Sequence, residues 1–329
     1  MKGIKALALL SGGLDSRLAI KLMSEIDIEA LHFKTPFEGC CLPDCAFKFA
    51  QTEAIPLHIY DLTNGRLFQE YIKLIRKPKF GYGSGMNPCI DCRIFMLKKA
   101  KQLAKRIGAK FIITGEVLNE RPMSQTMQAL KLIEKEAKLS GKIVRPLSAK
   151  LLPKTEAEKR GWINSNKLLA ISGRRRKPQL DLAKRFKLRN FPMPAGGCIL
   201  CDKGFASKLK DLFEHEKRIT PEDIEILKIG RHFRFKESKI IVGRNREENE
   251  SLIRLKRRTD YVFVVPGCGS PITILRGLKT REAIKKAAGL TIRYSDAKGK
   301  CVEVKYNERI ITASPLSEKE IEKIRIKDL

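Results

Sequence analysis

Residues 5–17 read KALALLSGGLDSR, an apolar run followed by two glycines and a short polar stretch. The run Lys5 to Leu10 predicts a buried strand, and Asp15 to Glu25 predicts a helix. Adjacent glycines allow a tight turn with bare N–H groups, and the dipole of a following helix favours an anion there. The segment Ser11-Gly12-Gly13-Leu14-Asp15-Ser16 is therefore a candidate phosphate loop.

Polar side chains add to the chemistry of this loop. Ser11 and Ser16 can donate hydroxyl hydrogen bonds to phosphate, and Asp15 can hold a magnesium ion on a pyrophosphate leaving group. The loop lacks the Gly-Lys-Ser/Thr ending of a P-loop, so it does not predict γ-phosphate transfer. An ordinary glycine-rich turn is the structural alternative. The complete pattern between a strand and a helix favours nucleotide binding.

Apolar strands and helices alternate after the loop. The predicted strands are Ile28–Phe33, Leu57–Leu62, Phe111–Thr114 and Ile143–Leu147, with a helix at Phe95–Ile107 before the third of these. Continuous apolar strands separated by helices are typical of a doubly wound parallel sheet in an α/β domain. Such a sheet binds ligands outside the carboxyl ends of its strands.

The pattern changes near residue 215. Short, partly alternating strands follow, interspersed with two helices near Glu247–Lys256 and Thr280–Ala288; the strands are predicted at Phe233–Phe235, Lys239–Val242, Tyr261–Val265, Ile272–Leu275, Cys301–Tyr306 and Ile310–Thr312. A chain of 329 residues exceeds the usual size of one core. We therefore expect two domains, an α/β domain at residues 1–215 and a smaller basic α+β domain at residues 216–329.

Positive charge dominates the composition. The chain has 67 Lys and Arg against 37 Asp and Glu, a formal net charge of +30, with dense stretches at residues 174–177, 184–189 and 254–258. A solvated surface of a heat-adapted protein would raise Lys and Glu together, so it does not explain this excess. The charge predicts a nucleic-acid partner. No apolar run approaches the roughly 20 residues of a membrane span, and the early polar loop does not fit a signal peptide, which predicts a cytoplasmic protein.

Four of the nine cysteines form two close pairs. They are Cys89-x-x-Cys92 and Cys198-x-x-Cys201. An odd total without an export signal argues against a disulfide framework. Zinc ribbons usually bring their pairs within about 20 residues, whereas thiolates in threes or fours also hold iron–sulfur clusters. Cys40, Cys41 and Cys45 form another group, for a structural zinc or for packing. We expect Cys268 and Cys301 to be buried packing residues.

Several of these segments together resemble one known family. Ser11–Ser16 resembles the PP-loop signature of ATP pyrophosphatases, which adenylate a substrate and release pyrophosphate. Thr114–Leu118, with Ser124-Gln125-Thr126, is similar to a stretch of 4-thiouridine synthetase that lies beside the nucleotide. Asn87–Cys92 resembles the cysteine motif of bacterial tRNA 2-thiouridylases, and Gly197-Cys198 stands where those enzymes carry a second working cysteine. The resemblance covers roughly residues 1–213.

The resemblance implies a tRNA thiouridine synthetase that uses ATP and Mg²⁺. It implies that Asp15, Cys89 and Cys198 are catalytic, and that the nucleotide is bound by Ser11, Gly12, Gly13, Asp15, Ser16, His32, Phe33, Gly115 and Glu116. Glu116 would ligate magnesium or ribose, with a helix cap as the alternative, and for His32 the alternative is a satisfied core histidine.

Sulfur delivery is open between three forms. Once a uridine oxygen is adenylated, a sulfur nucleophile must displace AMP. A [4Fe–4S] cluster on Cys89, Cys92 and Cys198 is the form we predict, with Cys201 as a spare ligand; a persulfide with a resolving thiol and a zinc site are the alternatives. The predicted partners are tRNA and a sulfur donor, either sulfide or a persulfide carrier protein, with a homodimer left open.

Two other functions remain in competition with thiolation. One is a PP-loop ligase that adenylates a small carboxylate, although that activity needs neither clustered cysteines nor a charge of +30. The other is a non-catalytic RNA-binding or iron–sulfur module. In the basic C-terminal part, Arg231-His232-Phe233 and Val242-Gly243-Arg244-Asn245-Arg246 resemble a small module proposed to bind RNA in ribosome-quality-control proteins.

Overall fold

The computed structural model describes residues 3–38, 45–192, 197–299 and 301–327. The chain forms two compact units, Met1–Cys201 and Asp202–Leu329. This division falls one helix earlier than the boundary predicted at residue 215. The intervening helix, Lys203–His215, belongs to the second unit because its Asp211 bonds to the sheet there.

The first unit alternates strands and helices along the chain. Its strands are β1 (Lys5–Leu9), β2 (Asp27–Lys34), β3 (Leu57–Asp61), β4 (Phe111–Ile113) and β5 (Ile143–Val144). Its α-helices are α1 (Leu14–Leu22), α2 (Cys45–Thr52), α3 (Gly65–Arg76), α4 (Cys89–Ile107), α5 (Met127–Ala137), α6 (Glu156–Lys159) and α7 (Lys177–Arg185). Short 3-10 helices lie at Ala149–Leu151, Ser165–Lys167 and Ile199–Cys201.

The five strands form one parallel sheet in the order β3-β2-β1-β4-β5. Both faces of β1 are covered, because Ala6 and Ala8 lie in a core with Phe49 and Phe111 while Leu7 is also fully buried. This explains the continuous apolar run in the sequence. The predicted α/β class and parallel sheet are confirmed.

The carboxyl end of β1 is the topological switch point of the sheet. The chain proceeds from β1 to β2 and β3 on one side, and then returns to β4 and β5 on the other. Ligands of open α/β sheets bind in the crevice at such a point. Here β1 leads directly into Ser11, and β4 leads into Thr114-Gly115-Glu116.

The second unit is built on an antiparallel sheet in the order β11-β10-β8-β9-β7-β6. Its strands are β6 (Arg231–Phe235), β7 (Ser238–Val242), β8 (Tyr261–Val264), β9 (Thr273–Gly277), β10 (Val302–Tyr306) and β11 (Arg309–Ala313). Its helices are α8 (Lys203–His215), α9 (Pro221–Leu227), α10 (Arg246–Leu255), α11 (Arg281–Arg293) and α12 (Glu318–Ile324).

Two cores hold this sheet between helices. One core joins Ala283 and Ala287 of α11 to Phe263 and Leu275 of the sheet. The other joins Leu252 of α10 to Ile241 and Ile274 of the sheet. The predicted second α+β domain is confirmed. The expectation for two of its cysteines is wrong: Cys268 and Cys301 are exposed. Cys268 stands in the Pro266–Gly269 turn and Cys301 just before β10, where neither has an element to pack under.

None of the helices in the described ranges combines the length and apolar character that a bilayer crossing requires.

A candidate nucleotide loop beside a group of thiols

Gly12 sets the shape of the predicted phosphate loop. Its φ is +83°, in the left-handed region that favours glycine. A Cβ at this position would lie 3.0 Å from both Ala46 N and Cys45 Cβ, so the start of α2 also requires glycine here. Ser16 Oγ donates to the Gly13 carbonyl oxygen at 2.8 Å. The loop is therefore a fixed turn that opens directly into α1.

Arg17 anchors this turn from below. Its Nε donates to the Gly12 carbonyl oxygen at 2.8 Å and its Nη2 to the Cys45 carbonyl oxygen at 3.2 Å. The guanidinium lies 5.4 Å from the centre of the Phe49 ring. The sequence does not reveal this role, because nothing in it shows that the side chain of an arginine within a helix donates hydrogen bonds to loop carbonyl oxygens.

Gly115 lies against the first turn of α1. A Cβ on Gly115 would be 2.4 Å from Ser16 N and 2.6 Å from Asp15 O, and both are backbone atoms that cannot move aside cheaply. The loop after β4 therefore supports the phosphate loop through a contact that only glycine allows. The structure brings Gly115 together with Asp15 and Ser16, as the sequence predicted for the site.

Asp15 is one of two partly buried carboxylates at the loop. Its Oδ2 accepts from Arg176 Nη2 at 3.4 Å, and Arg176 Nη1 lies 3.5 Å from Glu120 Oε1. Burial raises the pKa of Asp15, although Arg176 and Arg121 act in the opposite direction. Burial also raises the pKa of Glu120, and the charge of Asp15 adds to that rise. Two carboxylates that repel each other behind one arginine are an arrangement that a divalent cation would relieve.

Unpartnered polar atoms surround the same carboxylates. Among the described residues, Asp15 Oδ1, Arg176 Nε and both polar atoms of the fully buried Gln179 side chain have no hydrogen bond of normal geometry. Buried polar groups are otherwise almost always satisfied. These atoms are suited to a ligand that supplies oxygen atoms and positive charge, such as a magnesium polyphosphate.

Sequence reasoning missed Glu120, Arg176 and Gln179. Glu120 stands between the two segments that resemble 4-thiouridine synthetase, and that position was a usable signal. Arg176 belongs to the basic stretch at residues 174–177, whose charge in the sequence indicates only a nucleic-acid partner. Nothing in the sequence links it to Asp15, 161 positions away.

Glu116 is enclosed by arginines instead of facing the loop. Its side chain is 1% exposed; Oε2 accepts from Arg145 Nε at 2.9 Å and Oε1 lies 3.1 Å from Arg93 Nε. Burial alone would raise the pKa of Glu116, but Arg93 and Arg145 outweigh it and the net pKa is lowered. The carboxylate is thus already neutralised. These contacts favour a role in holding the β4 loop, and its predicted role as a nucleotide ligand stays a prediction.

His32 and Phe33 lie near the carboxyl end of β2, beside the loop. His32 Nδ1 is 2.9 Å from the carbonyl oxygen of Leu10, the residue immediately before Ser11. Phe33 is buried and makes an edge-to-face contact with Tyr60 at 5.6 Å between ring centres. Both residues therefore support the strand ends, and their contact with a nucleotide stays a prediction.

Cys89 and Cys92 lie in the first turn of α4, where three-residue spacing places them on one face. Asn87 Nδ2 donates to Cys89 Sγ at 3.2 Å, and the hydroxyl of Tyr71 lies 3.2 Å from Cys92 Sγ. Asp91 accepts hydrogen bonds from the backbone N–H groups of residues 79 and 80 at 2.8 and 3.0 Å. These hydrogen bonds hold the glycine-rich loop at residues 77–88 against α4, the helix that carries Cys89 and Cys92.

The second cysteine pair is bonded to the same region. Met86 N donates to Leu200 O at 2.9 Å, which ties the loop before Cys89 to the turn between Cys198 and Cys201. Burial raises the pKa of Cys198 to about 12, and the neighbouring Cys92, Cys201 and Cys89 add to the rise. Burial likewise raises the pKa of Cys92. The structure therefore brings both predicted cysteine pairs into one group of thiols.

The geometry of this thiol group does not decide which metal ion or cluster it holds. Within residues 3–38, 45–192, 197–299 and 301–327, no set of three or more His, Cys, Asp or Glu side chains is arranged to hold a metal ion as it stands. The donor set is nevertheless chemically suited to soft metals or an iron–sulfur cluster. Cys45 is buried beside Gly12, while Cys40 and Cys41 lie outside the described residues.

Arg121 connects the two halves of the site. Its charge acts on Asp15 and also on Cys201, lowering the pKa of each against the larger effect of burial. A Cβ placed on Gly197 would lie 3.2 Å from Arg121 Nη1. The nucleotide loop and the thiol group are therefore neighbours within the first unit.

Residues 2–151 match the model of the family described as thiamine biosynthesis protein (ThiI). This part of the chain is similar to that family. The resemblance inferred from the PP-loop signature is confirmed. A second model, described as the NFACT protein RNA binding domain, matches residues 230–325, the region whose two motifs resembled an RNA-binding module.

Curated relatives that match this part of the chain bear the name "Probable tRNA sulfurtransferase". The chain is 32% identical over 151 residues to the one from Thermoanaerobacter sp. (strain X514) and 30% identical over 149 residues to the one from Thermococcus kodakarensis. Each match covers 44% of this chain and 36% of the relative, so the chain spans about a third of the length of the curated relatives it matches.

A solved structure of the C-terminal part of the fibronectin/fibrinogen-binding protein from Streptococcus suis is 15% identical, with a TM-score of 0.28. The alignment covers 71% of this chain and 99% of that one. A likeness at this level carries no argument about function.

Proposed function

We propose that this protein is an ATP-dependent tRNA sulfurtransferase that adenylates a uridine and replaces its carbonyl oxygen with sulfur. The observation that carries the proposal is the neighbourhood of the phosphate loop and the thiol group, with Arg121 acting on Asp15 and on Cys201. A ligase for small carboxylates would need the loop but not the thiols.

In the activation step, the uridine carbonyl oxygen attacks the α-phosphorus of ATP and pyrophosphate leaves. The N–H groups at the start of α1 and the hydroxyls of Ser11 and Ser16 would hold the phosphates. Asp15 and Glu120 would hold Mg²⁺ on the leaving group, and Arg176 would turn from these carboxylates to the phosphates.

In the sulfur step, a sulfur nucleophile attacks the activated ring carbon, and AMP leaves with the former uridine oxygen. The donor is sulfide or a persulfide. Cys89, Cys92 and Cys198 would hold a [4Fe–4S] cluster, which would supply a soft Lewis acid able to bind sulfide. A persulfide on one of these cysteines, with a second thiol to resolve it, is the alternative form. Arg121 would stabilise negative charge between the two centres.

Transfer RNA is the partner that best fits the charge. The net charge of +30 attracts polyphosphate, and the second unit contains the region matched by an RNA-binding family model. The target base would have to leave its stack to reach the loop, which favours an unpaired or flipped position.

The first test measures pyrophosphate release by the full chain, purified without oxygen, with ATP, Mg²⁺ and sulfide in the presence and absence of unmodified tRNA. We expect release to depend on tRNA and thiouridine to appear in the digested RNA by mass spectrometry. Release that depends on a small carboxylate would support the ligase. Failure of the intact protein to bind ATP would support a non-catalytic module.

The second test separates the thiols from general effects of cysteine loss. Cys198→Ser should abolish thiouridine formation but leave tRNA-dependent pyrophosphate release, since activation precedes sulfur delivery. Cys268→Ser, at an exposed turn of the second unit, is the matched control and should retain both activities. Iron and sulfide assays on the same preparations distinguish the cluster from a persulfide. Full thiouridine formation by Cys198→Ser would contradict the assignment.

A further inference from the structure

A cavity of about 330 Å³ in the second unit is lined by the two motifs that the sequence singled out there. Arg231 comes from the first motif, and Gly243 to Arg246 from the second. The other wall is formed by Gly269 to Pro271 and by Tyr294 and Asp296. Its volume lies at the lower end of the roughly 300–1,000 Å³ of ligand pockets, which suits one nucleotide but not a duplex.

Arg231 lies over an aromatic ring in this cavity. Its guanidinium lies 4.5 Å from the centre of the Tyr294 ring, and Tyr294 stacks in turn on the buried Phe233 with 6.4 Å between ring centres. Arg231 has no carboxylate partner among the described residues. A guanidinium that contacts an aromatic ring on one side can stack a base on its other side, and such stacking is a common mode of single-stranded RNA recognition.

The second motif supplies positive charge next to Arg231, because Arg231 pairs with Val242 between the neighbouring strands β6 and β7. It leads into α10, whose N-terminus is capped by the Asn245 side chain through Glu248 N at 2.9 Å. The side chain of Arg246 is 92% exposed, and its ion pair with Glu250 is also exposed. Such a pair is worth little in water, so Arg246 can contact a phosphate at small cost.

Two glycines leave room for polar side chains in the wall. A Cβ on Gly243 would lie 2.1 Å from Asn249 Oδ1, and a Cβ on Gly269 would lie 2.2 Å from Asp296 Oδ2. Asn249 is fixed by accepting from Ile272 N at 2.9 Å. Asp296 is exposed, and its carboxylate can accept a hydrogen bond from the amino group of a base.

We infer that this cavity binds one unpaired nucleotide of RNA, with its base stacked on Arg231, its edge at Asp296 and its phosphate at Arg246. The inference rests on RNA binding by the second unit, which is part of the proposed function, and does not depend on sulfur transfer. It adds the site, the single-stranded form of the RNA and a preference for bases that carry an amino group.

The test uses the full chain and fluorescence anisotropy with labelled oligonucleotides. Arg231→Lys keeps the positive charge but removes the planar guanidinium on which the base would stack. We expect affinity for a single-stranded oligoadenylate to fall by about tenfold. Arg293→Ala removes a charge from a half-exposed arginine outside the cavity that pairs with Glu318, and should change affinity by less than about twofold. Melting curves confirm that both variants are folded.

The outcomes separate the cavity from the proposed function. If the wild-type chain binds no RNA, both fail together. If it binds RNA but Arg231→Lys binds as tightly as the wild type, only the cavity assignment fails. Asp296→Asn gives an independent check: the wild type should prefer oligoadenylate over oligouridylate, and the variant should lose that preference. A preference that persists in the variant would overturn the role of Asp296.

Discussion

Replacing Glu116 with Gln should strongly destabilise the first unit, because it removes a buried charge from between two arginines. The side chain of Glu116 is 1% exposed and that of Arg145 is 2% exposed. Removing one partner of a buried ion pair costs about 3–5 kcal/mol of unfolding free energy, mostly because the other charge is left uncompensated. Arg145 keeps its ion pair with Glu134, and Arg93 is partly exposed to water. We therefore expect the lower end, about 3 kcal/mol.

This cost corresponds to a fall in melting temperature of about 6–12 °C for a unit of this size. The matched control is Glu70→Gln in the same unit. Glu70 also contacts two cations, Lys99 at 2.6 Å and Arg66 at 3.0 Å, but its side chain is 33% exposed. Exposed pairs contribute about 0–1 kcal/mol, so this variant should melt within about 4 °C of the wild type.

Calorimetry gives both melting temperatures, and titration with ATP at a temperature where all proteins are folded gives the affinities. We expect Glu116→Gln to lose stability far more than it loses ATP affinity. The reasoning would be refuted if the two variants melted together while Glu116→Gln alone lost ATP binding. Glu116 would then be a nucleotide ligand, as the family resemblance implied.

Three further predictions concern other parts of the chain. Gly115→Ala should destabilise the first unit by about 1–3 kcal/mol and weaken ATP binding, because the added Cβ would lie 2.4 Å from a backbone nitrogen. Melting and ATP titration curves of the variant that match those of the wild type would contradict this contact. Glu120→Gln should raise the Mg²⁺ concentration for half-maximal ATP binding by about tenfold, and an unchanged titration would remove Glu120 from the metal site. Asp211→Asn should flatten the acid branch of the stability curve of the second unit. Burial alone would raise the pKa of Asp211, but Arg234 and Lys239 hold it at about 2. The stabilisation of about 2 kcal/mol is thus complete above the ordinary pKa of 3.8 and is lost as pH falls toward 2. Urea unfolding at pH 5 and pH 2.5 tests it, and equal pH dependence in both proteins would be the contrary result.

The sheet of the first unit could be predicted because its strands are buried on both faces and therefore remain continuous apolar runs. Each predicted strand matches an observed one to within a few residues, from Lys5–Leu9 to Ile143–Val144. Helix starts were less accessible: α4 begins at Cys89, six positions before the predicted Phe95. Cys89 and Cys92 therefore lie in the first turn of this helix, ahead of its predicted start.

The site could be predicted only where its residues are adjacent in sequence. Ser11–Ser16 form a local turn, so their spacing alone revealed the loop. Arg176 contacts both Asp15 and Glu120 only in the folded chain. Nothing in the sequence distinguishes these charged residues from charged residues on the surface. The same limit explains Glu116, whose burial between Arg93 and Arg145 depends on three distant elements.

The two helices that precede the RNA-binding family match have a practical consequence for dissecting the protein. A fragment cut at residue 230, where that match begins, would lose Asp211, which bonds to Lys239 at 2.8 Å and to Arg234 at 2.7 Å. Lys239 is buried in the sheet, so the truncated fragment would carry a stranded ammonium group in its interior. Severing the chain before Asp202 instead keeps every one of these counter-ions, and expression of an isolated RNA-binding half should begin there.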